Sequence, residues 1–345
     1  MAAKDVSFAS FNLLNLQLPG KRIYNDPDGW TQEVYDEKIK WSGSLLRRFA
    51  SDFIGFQELW SAKALDEMLA NAGMDATYTP LVPPNHNGRR IVCAGAVRSD
   101  ILVGEPEWVT EFPEETVLRS KGDDPQQPSI SVNLKKFSRP VLCAKIRPTP
   151  DTPVIHLFVC HFKSRRPTDI FRETWYEKSV HGNHRTALGY AISTIRRTAE
   201  AAALRVLITK ITKKSDAPVV VLGDMNDGTA SNTLNILTEQ PSFLPPLSKG
   251  GGDNDLYATQ TLQEYRSIKD VYYTHVYERQ RESLDHILVS EQFYDNSRKR
   301  LWRFDEMIVE NDHLNVDDHK ESGTSDHGVI RAQFRWKPEA GVPMA

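Results

Sequence analysis

Val219-Val220-Val221-Leu222-Gly223-Asp224-Met225-Asn226-Asp227 decides how this chain is read. A β-branched apolar run stops at a glycine and then presents a carboxylate and an amide. Such a run, bounded by turn residues, predicts a strand buried on both faces. Its tip holds Asp224 and Asn226 two residues apart, where both side chains can point to one side of the chain. A carboxylate there can polarise or deprotonate water, and an amide can hydrogen-bond an anionic oxygen.

The pattern recurs along the chain. Phe8-Ala9-Ser10-Phe11-Asn12, Phe53-Ile54-Gly55-Phe56-Gln57-Glu58 and Val154 to His161 are short apolar runs with polar residues at their ends, as are Leu284 to Val289 and Ser325 to Ile330. Each supplies Asn, Asp, Glu or His. Desolvating so many hydrogen-bonding groups costs free energy unless they are paired. Convergence on one site that holds a metal and a phosphate is the economical explanation. His286 directly follows Asp285, so the two face opposite sides of a strand, and His286 is expected to be structural.

These segments, in this order, resemble the endonuclease/exonuclease/phosphatase superfamily, which includes pancreatic deoxyribonuclease, abasic-site endonucleases, neutral sphingomyelinases and inositol polyphosphate 5-phosphatases. The resemblance runs from Asn12 to His327. It implies a deoxyribonuclease I-like α/β fold, a four-layer sandwich of two packed mixed sheets flanked by helices. It also implies Glu58 as the main metal ligand, with Asn12 and Asp326 completing the metal site. Asp224 would orient or deprotonate water, Asn226 would hold a phosphate oxygen, and His327, its ring fixed by Asp285, would stabilise the transition state. His161, in His161-Phe162-Lys163-Ser164, sits where nuclease-like members carry a histidine that assists the leaving group. Arg139, in Phe137-Ser138-Arg139-Pro140, resembles a phosphate clamp. In pancreatic deoxyribonuclease a glutamate orients the histidine equivalent to His161; here an apolar residue near Ile91 takes its place, leaving the partner of His161 unassigned.

The chemistry agrees with the residues themselves. Phosphodiester hydrolysis needs a nucleophile made from water, a cation against the non-bridging oxygens and stabilisation of the leaving alkoxide. Hard oxygen donors favour Mg²⁺ or Mn²⁺ over structural zinc. Cys93, Cys143 and Cys160 are widely spaced in apolar stretches and read as core residues. Singly, each site residue has a plainer reading: Asn12 or Arg139 as turn residues, Glu58 ahead of a helix, His161 in the core, Asp326-His327 in a surface turn. Only their joint order speaks against all of these.

The 345 residues, 39% of them hydrophobic, can bury one large core, and no linker or repeat divides residues 1–345, so a single catalytic domain is expected. No apolar leader follows Met1, no stretch approaches membrane-spanning length, and three cysteines suggest no disulfide framework; a cytoplasmic protein without a membrane partner is expected. Tyr35, Ile39, Ser42, Leu46 and Phe49 predict an amphipathic helix, Ser61 and Gly73 bound a second, and Ile192, Ile195, Ala199, Ala202 and Val206 mark one face of a third. Strands are expected at Ile91–Val97, Ser129–Lys136 and Val141–Arg147, the last two joined by a tight turn at Ser138-Arg139-Pro140.

Substrate preference is expected from Lys163 to Arg185, where Lys163, Arg165, Arg166 and other cations could grip a second phosphate, with Trp175 and Tyr176 available for stacking. Against a polyanion stand the net charge of −3 and the acidic stretch from Asp305 to Asp326. The resulting expectation is a divalent-metal phosphodiesterase, a nuclease acting on DNA or RNA. The alternative is an enzyme for a small nucleotide, sugar-phosphate or lipid head-group ester, and the least favoured reading is a non-catalytic scaffold.

Overall fold

Period-2 burial builds the molecule. In the strand around Val219, Val220 and Leu222 belong to one apolar cluster, whereas Val219 and Val221 belong to another, so each face of the strand meets a different layer. The computed structural model describes residues 4–122, 126–241, 254–267, 273–316 and 318–339. Its strands are β1 (Val6–Leu16), β2 (Phe53–Leu59), β3 (Tyr78–Leu81), β4 (Val92–Arg98) and β5 (Glu107–Glu111). A small hairpin, β6 (Arg119–Ser120) and β7 (Ile130–Ser131), precedes β8 (Lys136–Ile146), β9 (Ile155–His161), β10 (Val219–Asp224) and β11 (Leu256–Ala258). A second hairpin, β12 (His275–Tyr277) and β13 (Gln280–Glu282), leads to β14 (Asp285–Ser290), β15 (Trp302–Glu310) and β16 (Val329–Trp336). The helices are α1 (Gln32–Phe49), α2 (Ala62–Ala72), α3 (Lys178–His181), α4 (Arg185–Thr212), α5 (Asn232–Thr238), α6 (Thr259–Glu264) and α7 (His319–Ser322).

Two six-stranded mixed sheets result, ordered β15-β16-β1-β2-β4-β3 and β11-β14-β10-β9-β8-β5. Each has a parallel central pair, β1 with β2 and β9 with β10, flanked by antiparallel neighbours. Phe8, Phe53, Val159, Leu222 and Ile287 fill the space between the sheets, and burying such a side chain contributes roughly 1.5–3 kcal/mol. α1 and α2 cover the outer face of the first sheet through Leu46, Leu65 and Met68 against Ile54 and Phe56. Leu204 and Ile208 of α4 and Leu234 of α5 cover the second against Phe158 and Val221. This is the four-layer α/β sandwich of the deoxyribonuclease I-like fold. The sheets approach closely at Gly55, where an added Cβ would lie 2.7 Å from the Leu222 side chain.

Local chemistry sets the element ends. Thr31 caps α1 by accepting from the Val34 N–H, Ser61 caps α2 by accepting from Ala64, and Gly73 ends α2 at φ +70°. Two expectations need correction. Ser138-Arg139-Pro140 is no turn, and Ser129–Lys136 is not a strand: apart from the two residues of β7, strand structure begins at Lys136 and continues through Pro140 to Ile146. Residues 137–140 stand opposite Thr110 alone, a wide bulge in the pairing with β5. A proline, having no N–H, is tolerated where the ladder is interrupted. On α4 the buried stripe runs through Ser193, Arg197, Glu200, Ala201, Leu204 and Ile208, rotated by one to two residues from the expected face, of which Ala199 is buried, Ile192, Ala202 and Val206 are half-buried and Ile195 is exposed. The stripe is rotated because Arg197 and Glu200 are buried with partners of opposite charge or with backbone donors.

Gly223 lies at φ +142°, and a Cβ there would sit 1.9 Å from the Cys160 carbonyl oxygen of the adjacent β9. Only glycine accommodates that approach. Gly223→Ala is expected to lower the urea midpoint by the equivalent of about 3 kcal/mol or more, read by tryptophan fluorescence. An unchanged midpoint would show that β9 and β10 can separate without cost.

Candidate active site

Strand direction brings the polar ends together. The carboxyl ends of the parallel pairs point the same way, so the amino ends of their antiparallel partners lie beside them. Asp224 at the end of β10 is therefore in register with His161 at the end of β9 and with Asp285 at the start of β14. In the other sheet Asn12 lies in β1, Glu58 near the end of β2, and His327 just ahead of β16. Asn12 Nδ2 donates to Asp224 Oδ2 at 3.1 Å, bridging the two sheets. Ser325 Oγ donates to the Asn12 carbonyl at 2.7 Å and accepts from the His327 N–H at 3.1 Å, fixing the loop that carries Asp326 and His327.

Asp224 is fully enclosed. Its Oδ1 accepts from the Asn226 backbone N–H at 2.8 Å, and Oδ2 faces His161 Nε2 at 3.4 Å and His327 Nε2 at 3.9 Å. His161 thus has Asp224 as a neighbour on its Nε2 side. His327 Nδ1 pairs with Asp285 Oδ2 at 2.8 Å, and the Thr274 hydroxyl accepts from the Asp285 N–H at 3.1 Å. Asn226, held at φ +54°, uses one amide hydrogen on the Phe162 carbonyl at 3.1 Å. Arg139 donates to that same carbonyl at 3.1 Å from within β8. Glu58, also left-handed at φ +61°, accepts from the Asn15 N–H at 3.1 Å. Positive φ at two non-glycine residues concentrates backbone strain at this edge.

Neighbouring charges drive the proton affinities of the two buried histidines apart. Burial alone disfavours charge on His327, but the Asp285 and Asp224 carboxylates outweigh it and hold the ring well above its ordinary value. Burial, with the Arg139 and His327 cations beyond it, keeps His161 well below its own and therefore neutral. Asp224 is pushed up to about 7 by burial and by the Asp285 and Glu58 charges, against the opposing pull of His327. Glu58 is raised by burial and by the neighbouring Asp326 charge.

Several residues at this site were not singled out in the sequence. Glu200, buried on α4, accepts from the backbone N–H of Ser138 and of Lys163, both at 2.7 Å, and so ties β8 to the segment after His161 and sets Arg139 in place. Lys38 of α1 is 1% exposed, donates to the Thr324 carbonyl at 3.3 Å and lies 5.0 Å over Trp30. Burial pushes it down to about 7 although Asp326 and Glu58 pull the other way. A lysine three residues after Tyr35, on the apolar stripe of α1, was the available signal. The His275 ring lies 4.9 Å from that of His327, tilted at 50° to it, and ligand atoms of His275, Asp326 and His327 lie within 4.8 Å of one another.

Other residues fall elsewhere. The Arg165 guanidinium is taken up by Glu282 and by Asp227 at 3.0 Å and donates to the Asn226 carbonyl, a tether in place of the phosphate contact expected of it. Lys163 Nζ donates to the Ser164 and Arg166 carbonyls. Farther along the basic segment, the Arg172 and Arg185 guanidiniums lie 5.4 and 5.7 Å over Phe171, and His181 packs against Trp175 and Tyr176. In the acidic stretch, Asp305 pairs with Arg335 and Glu310 with Arg48, while Asp317 lies outside the described residues. Cys93, Cys143 and Cys160 are unbridged, and His286 bonds the Asp227 carbonyl at 2.8 Å inside the core.

The donor set fits a divalent cation. Glu58 and Asp326 bring two carboxylates into mutual repulsion at the edge of the sheets. Asn12 Oδ1 spends one lone pair on the Leu14 N–H at 3.1 Å and keeps the other. Histidine nitrogens stand alongside, and thiols take no part.

The model of the endonuclease/exonuclease/phosphatase family matches residues 43–327. A comparison with curated proteins finds no sequence match. Among solved structures, an endonuclease/exonuclease/phosphatase from Bacteroides vulgatus superposes with a TM-score of 0.55 at 13% identity, covering 97% of this chain and 100% of that one. Truncated Caenorhabditis elegans TDP2 gives 0.56 at 13% identity, covering 96% and 98%. ANGEL2, described as a 2′,3′-cyclic phosphatase and bound to adenosine-2′,3′-vanadate, gives 0.58 at 15% identity, covering 96% of each chain. The matched segment runs from α1 through β2 to β15 and takes in the strand ends from Glu58 to His327, and the chain belongs to the endonuclease/exonuclease/phosphatase family.

Proposed function

We propose that the protein is a Mg²⁺- or Mn²⁺-dependent phosphodiesterase, a nuclease that cleaves by in-line attack of water on phosphorus. The observation that carries this reading is Asp224 Oδ2 set between two histidines of opposite proton affinity, 3.4 Å from neutral His161 and 3.9 Å from charged His327. Two titratable groups driven apart in this way mark separate roles in proton handling and charge stabilisation. Asp224 takes the proton of the attacking water. The His327 imidazolium, kept charged by Asp285, hydrogen-bonds a non-bridging oxygen as negative charge develops there. Asn226 adds its second amide hydrogen, and Arg139 clamps the phosphate from the β8 side. His161, being neutral, meets the leaving alkoxide with a hydrogen bond, because burial beside Arg139 disfavours the protonated ring. Glu58, Asp326 and Asn12 would hold the cation, which supplies charge neutralisation of the phosphate when bound.

The structural neighbour described as a 2′,3′-cyclic phosphatase supports a second reading, a small nucleotide phosphoester as substrate. Unbridged Cys93, Cys143 and Cys160 favour a cytoplasmic setting, and among the described residues no helix is long and apolar enough to cross a membrane.

Hydrolysis of plasmid, single-stranded DNA, RNA and bis(p-nitrophenyl) phosphate with Mg²⁺, Mn²⁺ or EDTA tests the reading. Asp224→Ala and His327→Ala are each expected to lower kcat by roughly 10²-fold or more with unchanged circular dichroism; a tenth of wild-type activity surviving in both would remove the mechanism. Asp285→Asn is expected to cost a comparable factor and to narrow the alkaline side of the pH profile, since the His327 ring then loses its proton at lower pH. On the acid side Asp224 must be ionised, so kcat/KM should rise as pH increases through a limb at or below about 7, the cation moving it downward. A flat profile from about pH 5 to 8 would exclude Asp224 as the base.

A further inference from the structure

A groove of about 1230 Å³ is lined by Arg139 and Lys163 and by segments beside the site strands. Its walls come from three segments that follow or precede the site strands: residues 17–24 after β1, 60–63 after β2, and 86–91 before β4. Of the eighteen lining residues seven are Lys or Arg and none is Asp or Glu, in a chain whose net charge is −3. Lys63 is turned toward Glu67 at 3.6 Å. The others, Arg139 and Lys163 at the inner end and Lys21, Arg22, Arg89 and Arg90 along the walls, make no ion pair among the described residues. Lys21, Arg22, Arg89 and Arg90 are exposed.

The groove is built to hold this shape. Gln17 Nε2 donates to the Gly88 carbonyl at 3.2 Å and His86 Nε2 bonds the Trp60 carbonyl at 2.8 Å, docking the 86–90 segment on the strand ends. Tyr24, at φ +51° in the tight turn closed by Ile23 and Asp26, is 51% exposed and packs edge-on at 5.0 Å against buried Trp60. Trp60 Nε1 donates to Asn15 Oδ1 at 2.9 Å, and the Asn15 N–H binds Glu58, so the groove floor is continuous with the acidic end of the site.

A volume of 1230 Å³ exceeds the roughly 300–1,000 Å³ of pockets for small ligands. Unpaired cations flanking an exposed aromatic face are the arrangement that tracks a phosphate backbone and stacks an unpaired base. We infer that this groove binds the single-stranded nucleic acid flanking the scissile phosphate, with Lys21, Arg22, Arg89 and Arg90 on successive phosphates and Tyr24 under a base. The inference rests on the phosphodiesterase reading for the chemistry, yet its binding can be measured apart from turnover. A base paired in a duplex has its face covered by its neighbours, which is why the single strand is favoured.

Fluorescence anisotropy of labelled 12-mers, dT and rU, titrated with wild-type protein in EDTA, reads the groove without hydrolysis. Arg89→Ala/Arg90→Ala is expected to weaken binding tenfold or more and to reduce the slope of log affinity against log salt by about 1.4, two phosphates at about 0.7 each. Lys21→Ala/Arg22→Ala should act alike, and Tyr24→Ala should weaken binding at least about fivefold with the salt slope unchanged. In Mg²⁺ or Mn²⁺ the ratio of kcat/KM for the 12-mer to that for bis(p-nitrophenyl) phosphate should fall at least tenfold in the double variants. Equal binding by wild type and variants, or tighter binding of a duplex than of either strand, overturns the inference. Binding in EDTA with no hydrolysis of any substrate keeps the groove and removes the phosphodiesterase reading. Hydrolysis of the small diester with no 12-mer binding does the reverse.

Discussion

The structure depends on a single requirement, that polar groups delivered to the ends of buried strands satisfy one another across the gap between two sheets. The Asn12 to Asp224 hydrogen bond joins residues 212 positions apart and links the two sheets directly at the site. Around it, Ser325 bonds the Asn12 carbonyl, Asp285 holds His327, and the Asn226 N–H closes on Asp224. A buried donor or acceptor left unpaired costs about 1–3 kcal/mol, so these contacts keep the apolar sandwich from being undone by its own strand ends.

The same enclosure creates the chemistry. Burial raises Asp224 and lowers His161, while two carboxylates reverse the effect of burial at His327. A solvent-exposed arrangement of these residues would leave two similar histidines and an ordinary aspartate. The Gly223 contact with the Cys160 carbonyl and the left-handed backbones of Glu58 and Asn226 are the local costs of that placement, offset by the sheets packed behind them.

Charge is divided over the surface in a way that net charge conceals. Asp305 and Glu310 of β15 are paired with Arg335 and Arg48, whereas of the groove cations only Lys63 has an ion pair among the described residues. The long basic segment after His161, the more conspicuous cluster in the sequence, spends its side chains on Phe171, Asp227 and Glu282. The exposed cations of the groove walls are instead scattered over residues 21–22 and 89–90, too far apart in the chain to form a run.

Strand identity was legible in the sequence because β-branched runs ending in Gly, Asn, Asp or His at Phe8, Phe53 and Val219 leave few alternatives. The family resemblance added the order of the site residues. Ser138-Arg139-Pro140 was misread as a turn because a bulge depends on a partner strand, and Thr110 of β5 lies far off in sequence. For Lys38, Glu200 and Arg197 on the helices, local pattern does not name the partners that would let a charge be buried. They are buried only because Thr324, the Ser138 and Lys163 amides, and Asp227 meet them from other elements. The sequence by itself determined which residue types end which strands, since that is written in local pattern. Only the tertiary structure decided which of them face one another, and hence which carry charge, because desolvation and Coulomb energy depend on distances that chain order does not specify.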